Sequence, residues 1–275
     1  MSDVSRSYII NTYSYTFSHT AIGCLRHLVE RGFNGFELMM FPGHVWPAQT
    51  PRAQRRELLD FLHANGAAIR TLNQPNIDIN IGAATPEMRE YSVSAIEKMI
   101  VLAADLECRG VIVGPGKPNA LLPAPAEVLQ DRFFAALDRF VPLGEKLGVQ
   151  ILVENMPFAF VPDAESMMAT VERYGDDSIG VVYDVANAAF IGEDVVQGLE
   201  RVASRLAYVH LSDTPADVCR HDPVENKGIV PFAAAAQAAE GIGHRNPPII
   251  EIVSSDPDKD IDISMDCLGE AGWRP

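Results

Sequence analysis

Short apolar runs recur along the chain. Each is followed by a longer stretch in which apolar residues return every three or four positions. Near-continuous apolar runs are what parallel strands covered on both faces require, and the longer spacing is that of amphipathic helices. The strand candidates are 7–15 (SYIINTYSY), 35–40 (GFELMM), 68–74 (AIRTLNQ) and 110–114 (GVIVG). Four more follow at 149–155 (VQILVEN), 179–185 (IGVVYDV), 206–212 (LAYVHLS) and 248–253 (PIIEIV).

The intervening segments carry helix boundaries. Ser18 is placed to cap a helix with Ile22, Leu25, Leu28 and Val29 on one face, ending at Gly32. Thr50-Pro51 and Thr85-Pro86 each set a cap residue before a proline at the first helical position. Asp163 reads as the cap of 164–174, and Pro231 opens 231–241. Eight strand–helix units fit a closed barrel or an open doubly wound sheet. No G-x-G-x-x-G follows the first strand, which disfavours the dinucleotide-binding form of the open sheet. The expected fold is therefore α/β, a single (β/α)8 TIM barrel forming one domain over 1–275. The longest irregular piece, 213–231, follows the seventh strand. Loops after barrel strands lie on the catalytic face, so this one is expected to act as a lid or substrate clamp.

Composition narrows the function. The 275 residues are 47% hydrophobic, enough for a large core. A net charge of -15 with no Lys/Arg run repels a phosphate backbone, so no nucleic-acid partner is expected. The four cysteines, at 24, 108, 219 and 267, form no C-x-x-C pair, as in a reducing compartment. Residues 1–6 carry no apolar signal core, and no run of 18 apolar residues occurs. A cytoplasmic protein without a membrane partner is expected.

The chemistry sits late in the last four strands, at Glu154, Asp184, His210 and Glu251. Each ionisable residue follows a run of mostly apolar strand core. Three carboxylates converging on one barrel mouth repel one another, and each buried charge demands a partner. A divalent cation resolves the conflict. Three oxygens and one imidazole suit Mn2+ best, with Mg2+, Co2+, Zn2+ or Fe2+ as alternatives. Four protein ligands leave positions open for substrate.

The succession VENMP, VYDVANA, YVHLSD and IIEIV resembles the xylose-isomerase-like TIM-barrel superfamily, in the branch of ketose 3-epimerases and hydroxypyruvate isomerase. GFNGFEL is similar to that family's second-strand pattern. The resemblance implies that Glu154, Asp184, His210 and Glu251 hold the metal and that Glu154 and Glu251 are the catalytic proton-transferring pair. It implies a small-molecule carbohydrate substrate, a homodimer or homotetramer, and isomerase or epimerase activity through a metal-stabilised enediolate. The alternative is a lyase, a dehydratase or deglycosidase of a keto-sugar or keto-cyclitol, on the same site.

The departures are specific. Epimerases of this branch carry histidine three residues after the sixth-strand aspartate, where this chain has Asn187, which cannot accept a proton at neutral pH. Relatives acting as dehydratases carry histidine where this chain has Met156. Arg220 and His221 come later in the loop than the arginine of the epimerases. The third and fourth strands end in Asn73-Gln74 and Gly114-Pro115, without the histidines that the three-metal apurinic-site endonucleases of this fold use. Substrate contacts are expected from Asn187, His44, Trp46, Lys117, Arg220 and His221, with Tyr13, Tyr15 and Lys227-Gly228 as further candidates. Glu37 either points into the mouth or is a structural carboxylate.

Overall fold

The apolar runs form strands, most of them shorter than the runs themselves. A computed structural model describes residues 7–74 and 78–274. Residues 1–6, on which the reading of a start without a signal core rested, lie outside the described residues. The strands are β1 (Ile9–Asn11), β2 (Gly35–Met39), β3 (Ala68–Asn73) and β4 (Gly110–Val113). They continue as β5 (Gln150–Glu154), β6 (Gly180–Asp184), β7 (Leu206–Leu211) and β8 (Ile249–Ile250). All pair in parallel in sequence order, and β8 pairs back to β1, closing a barrel. The helices outside it are α1 (Ala21–Glu30), α2 (Arg52–Ala64), α3 (Pro86–Asp105), α4 (Ala126–Leu147) and α5 (Ala164–Tyr174). After them come α6 (Val185–Phe190), α7 (Val195–Val202), α8 (Phe232–Gly241) and α9 (Pro257–Glu270).

Local chemistry explains the differences from the sequence expectation. Strand β1 stops at Asn11 because its side-chain oxygen accepts the Tyr13 N–H at 2.7 Å, an Asx turn that starts a 3-10 turn over Tyr13–Tyr15. The Ser18 and His19 amides then bond back to the Tyr15 carbonyl. The helix cannot begin until Thr20, whose hydroxyl accepts the Gly23 N–H, so Thr20 and not Ser18 is the cap. Thr50 does not cap α2 either. Its hydroxyl donates to the Trp46 carbonyl at 2.8 Å, and Pro51 takes the cap position. Asp163 caps α5 as expected, accepting the Ser166 N–H at 2.7 Å.

Alternation along the strands positions the site. Ile112, Leu152 and Val182 point inward and pack with Tyr208, filling the barrel axis. Val111, Val153, Val181 and Val209 point outward into the apolar layer under the helices. One inward step beyond Leu152, Val182 and Tyr208 come Glu154, Asp184 and His210. Asp184 lies beside His210 in the β6–β7 register, and Glu154 lies beside Val182. The Glu251 N–H extends the β7–β8 ladder to the Leu211 carbonyl at 3.1 Å. Period-two geometry thus puts four ionisable side chains in one layer above a plug of apolar ones.

Candidate metal centre

His210 stands in the middle of the layer. Its Nδ1 lies 2.9 Å from Glu154 Oε1, 2.8 Å from Glu251 Oε2 and 3.9 Å from Asp184 Oδ2. One potential ligand atom from each of these four buried residues lies within 4.8 Å of the others. The other imidazole nitrogen, Nε2, faces Glu37 Oε1 at 3.2 Å. A register shift between β2 and β3 brings Thr71 beside Glu37, and its hydroxyl donates to Glu37 Oε2 at 2.5 Å. Asn11 and Asn73 also donate to Glu37, at 2.6 and 3.2 Å. Glu37 is therefore fixed as an acceptor for an Nε2–H. That tautomer leaves the Nδ1 lone pair aimed at the three carboxylates, the arrangement that metal-bound histidines use.

The carboxylates are held unequally. Asn11 and Asn73 donate to Glu251 Oε1 at 3.0 and 3.3 Å, and the Asn187 N–H donates to Asp184 Oδ1 at 2.8 Å. The remaining oxygens, Glu251 Oε2 and Asp184 Oδ2, are buried and accept no hydrogen bond of good geometry. Their polar neighbours are the Nδ1 atoms of His210 and His221, at 2.8 and 3.5 Å from Glu251 and 3.9 and 3.7 Å from Asp184. Two buried carboxylate oxygens converging on imidazole nitrogens in this way fit a cation between them.

Burial pushes the Glu154 carboxyl up to about 7, although the His210 imidazole beside it acts the other way. Burial likewise raises Asp184. For Glu251 burial acts upward too, but the His210 and His221 imidazoles outweigh it and hold the carboxyl below its usual range. For His210 burial acts downward, and the Glu251, Glu37 and Glu154 carboxylates lift it well above its ordinary value. The protein alone accommodates this set only by taking up protons. A divalent cation would satisfy the same oxygens without them.

The site opens into a cavity of about 430 Å3 lined by Glu154 and Glu251 together with Asn187, Lys117, Arg220 and His221. These four expected contacts are brought together. His221 is held over the floor by its carbonyl, which accepts the Val253 N–H at 2.7 Å, and its Nδ1 lies 3.5 Å from Glu251 Oε2. Asn187 donates from Nδ2 to the Asn155 carbonyl, so its Oδ1 stays with the cavity, near Cys219.

The expectation for His44 and Trp46 is corrected. The loop after β2 folds back on itself, with Phe41 bridged to Val45 around Gly43, whose φ is 87°. This turn buries His44 between the His19 carbonyl at 2.8 Å and the Thr12 hydroxyl at 3.0 Å. Trp46 faces a separate cavity of about 320 Å3, with Gln49, Gln54 and Glu57. Tyr13 lines the central cavity, whereas Tyr15 turns away and bonds Asp258 at 2.7 Å. Lys227 is paired with Glu225 on the surface at 2.6 Å.

The long loop after β7, expected as a lid or a substrate clamp, is pinned, which fits the clamp and not the lid. The Asp213 carboxylate accepts N–H bonds from Thr214, Gly228 and Val230 at 2.9, 2.8 and 3.4 Å. The Val224 N–H reaches the Ser264 hydroxyl on α9 at 2.9 Å. Sequence reasoning missed the amide pair Asn11 and Asn73. Both end apolar strands, which was visible, but neither is ionisable. No helix among the described residues is long and apolar enough to cross a membrane.

An uncharacterized protein of Methanocaldococcus jannaschii is 24% identical over 180 residues, covering 63% of this chain and 60% of that relative's length. The chain thus aligns with less than two thirds of that relative. Among solved structures, a D-tagatose 3-epimerase-like protein superposes with a TM-score of 0.81 at 19% identity, over 96% of this chain and 98% of the other. The IOLI protein, solved with a bound zinc atom, superposes with a TM-score of 0.80 at 15% identity, over 97% and 98%. At these identities the two structures speak for the fold. Residues 25–271 match the profile of the family described as xylose isomerase-like TIM barrel. The chain belongs to that family.

Proposed function

We propose that this protein is a divalent-metal-dependent isomerase or epimerase of a small sugar or hydroxy-keto acid, with Glu154, Asp184, His210 and Glu251 as the metal ligands. The observation that carries the reading is the convergence of Asp184 Oδ2, Glu251 Oε2 and Glu154 Oε1 on His210 Nδ1 at the floor of an open cavity. Three oxygens and one nitrogen favour Mn2+ as the ion, ahead of Mg2+, Co2+, Zn2+ and Fe2+. A divalent ion there supplies Lewis acidity toward a carbonyl and its neighbouring hydroxyl.

The chain's own groups divide the proton work. Among the described residues no amide clamps Glu154 as Asn11 and Asn73 clamp Glu251, and Glu154 takes the proton from the carbon beside the carbonyl. Glu251, fixed by Asn11 and Asn73 at the end of β8, three places from β5 around the ring, delivers to the other face of that carbon a proton it draws from water, and Glu154 gives its proton up to water to close the cycle. Asn187 Oδ1 accepts from a substrate hydroxyl but cannot titrate, so proton transfer rests on the two glutamates. His221 covers the floor and limits entry of water.

The test is solvent exchange. Metal-loaded protein is incubated with a panel of keto-sugars in deuterium oxide and followed by NMR. We expect deuterium at the carbon beside the carbonyl, slowed in Glu154→Gln by roughly two orders of magnitude or more. Absence of exchange with every substrate would sink the reading. Loss of a hydroxyl or glycosyl group, with growth of enone absorbance, would move the protein to the lyase class.

A further inference from the structure

The walls of the central cavity differ from its floor. Strands β1 and β5 are four places apart in the closed ring of eight, so the residues following them face each other across the mouth. Tyr13 follows β1, and Val253 follows the adjacent β8; Met156, Pro157 and Phe158 follow β5, and all five line the cavity. Two of them are unburied, Phe158 at 60% exposure and Val253 at 50%. Phe190 supports Phe158 in an edge-on contact with 6.1 Å between ring centroids. Two facing apolar walls, one built on a braced aromatic ring, are a poor match for a bare polyol. They suit a flat apolar group between them.

The same mouth is poorly made for phosphate. Barrels of this type bind phosphate at the loops after the seventh and eighth strands and at a helix N-terminus beside them. Here the helix after β8 is α9, and the carboxylates of its first turn are directed away from the cavity, Asp258 to Tyr15, His27 and Arg31 and Asp260 to Ser254. After β7, the Arg220 guanidinium is paired with Asp222 at 2.9 Å, and both residues line the cavity. The floor adds Glu154 and Glu251. A phosphate dianion in the cavity would meet the carboxylates of Asp222, Glu154 and Glu251, set against Lys117 and the already paired Arg220.

Building on the metal-site reading above, we infer that the substrate is an unphosphorylated sugar or cyclitol bearing a flat apolar substituent, such as an aromatic aglycone. Its polar ring lies on the Glu154–Glu251 floor, and its substituent is held between Phe158 and the Tyr13–Val253 wall. Among the described residues, the pinned loop after β7 leaves this slot open at the mouth, so the substituent extends toward solvent past it.

The probes are the methyl and phenyl glycosides of 3-oxoglucose and the 6-phosphate of the methyl compound. A ring-oxidised glycoside presents a carbonyl beside a hydroxyl while keeping its appendage attached. Each is titrated by calorimetry into protein with its metal content established, before and after chelation. We expect metal-dependent binding of the methyl glycoside and about tenfold or tighter binding of the phenyl glycoside, from burial of the ring. The phosphate should bind more weakly than its parent. In Phe158→Ala the phenyl-to-methyl preference should fall close to one. Equal affinity for the two glycosides, a preference unchanged in Phe158→Ala, or tighter binding of the phosphate would each overturn the inference while leaving the metal-site reading in place. If metal-loaded protein binds neither glycoside, the inference fails, and the reading it rests on stands or falls by the exchange experiment with the free keto-sugars.

Discussion

At the residue scale, function turns on which atoms are left without amide or hydroxyl donors. Glu37 is consumed by Asn11, Thr71 and Asn73 and presents an acceptor to His210 Nε2, while Asp184 Oδ2 and Glu251 Oε2 face imidazole nitrogens and no amide or hydroxyl donor among the described residues. Replacing Glu37 with Gln weakens the acceptor that sets the tautomer. Metal affinity, measured by competition with a chromophoric chelator, should fall roughly 10- to 100-fold while the fold persists. His44 makes a second prediction. Burial holds its imidazole below the ordinary 6.5, so the folded state prefers it neutral. The resulting stability is complete above 6.5 and is lost as pH falls through that value toward the lower folded one. Between about pH 7 and about pH 5, denaturant-derived stability should fall more steeply in wild type than in His44→Gln. Matching slopes would contradict that account. The four candidate ligands were legible because each follows an apolar strand run that leaves it no surface role. Glu37 was ambiguous because its partners sit on both neighbouring strands, Thr71 among them brought alongside by a register shift, and His44 was misplaced because a glycine-centred turn reversed its direction.

At the element scale, the strands and most helices followed from periodicity, and their ends followed less well. Asn11 and Thr20 set the first strand–helix junction through short-range side-chain bonds that compete with Ser18 for the same role. The loop after β7 was expected to be a lid or a substrate clamp because loops after barrel strands lie on the catalytic face. Its anchoring depends on Asp213, whose contacts with Gly228 and Val230 are remote in sequence. A Cβ at Gly228 would run into the Asp213 carboxylate and the Thr214 carbonyl. Gly228→Ala should therefore cost about 1–3 kcal/mol of stability, read as a lower Tm, and open the loop to limited proteolysis. An unchanged Tm with unchanged protease resistance would show that Asp213 does not organise the loop.

At the scale of the whole molecule, closure of the barrel is what makes the site. Residues separated by 240 positions, Asn11 and Glu251, meet because β8 pairs with β1, and the amide that steadies one glutamate also steadies Glu37. The closed ring brings Glu154, Asp184, His210 and Glu251 to one layer, at the cost of concentrating negative charge in a molecule that already carries -15. The account requires a cation there. The direct test is elemental mass spectrometry of purified, metal-reconstituted protein, wild type beside His210→Ala. The account predicts about one equivalent of a divalent metal in wild type, a large loss in His210→Ala, and a wild-type Tm that drops on chelation. A wild type that takes up no divalent metal after reconstitution with each of Mn2+, Mg2+, Co2+, Zn2+ and Fe2+ would contradict it.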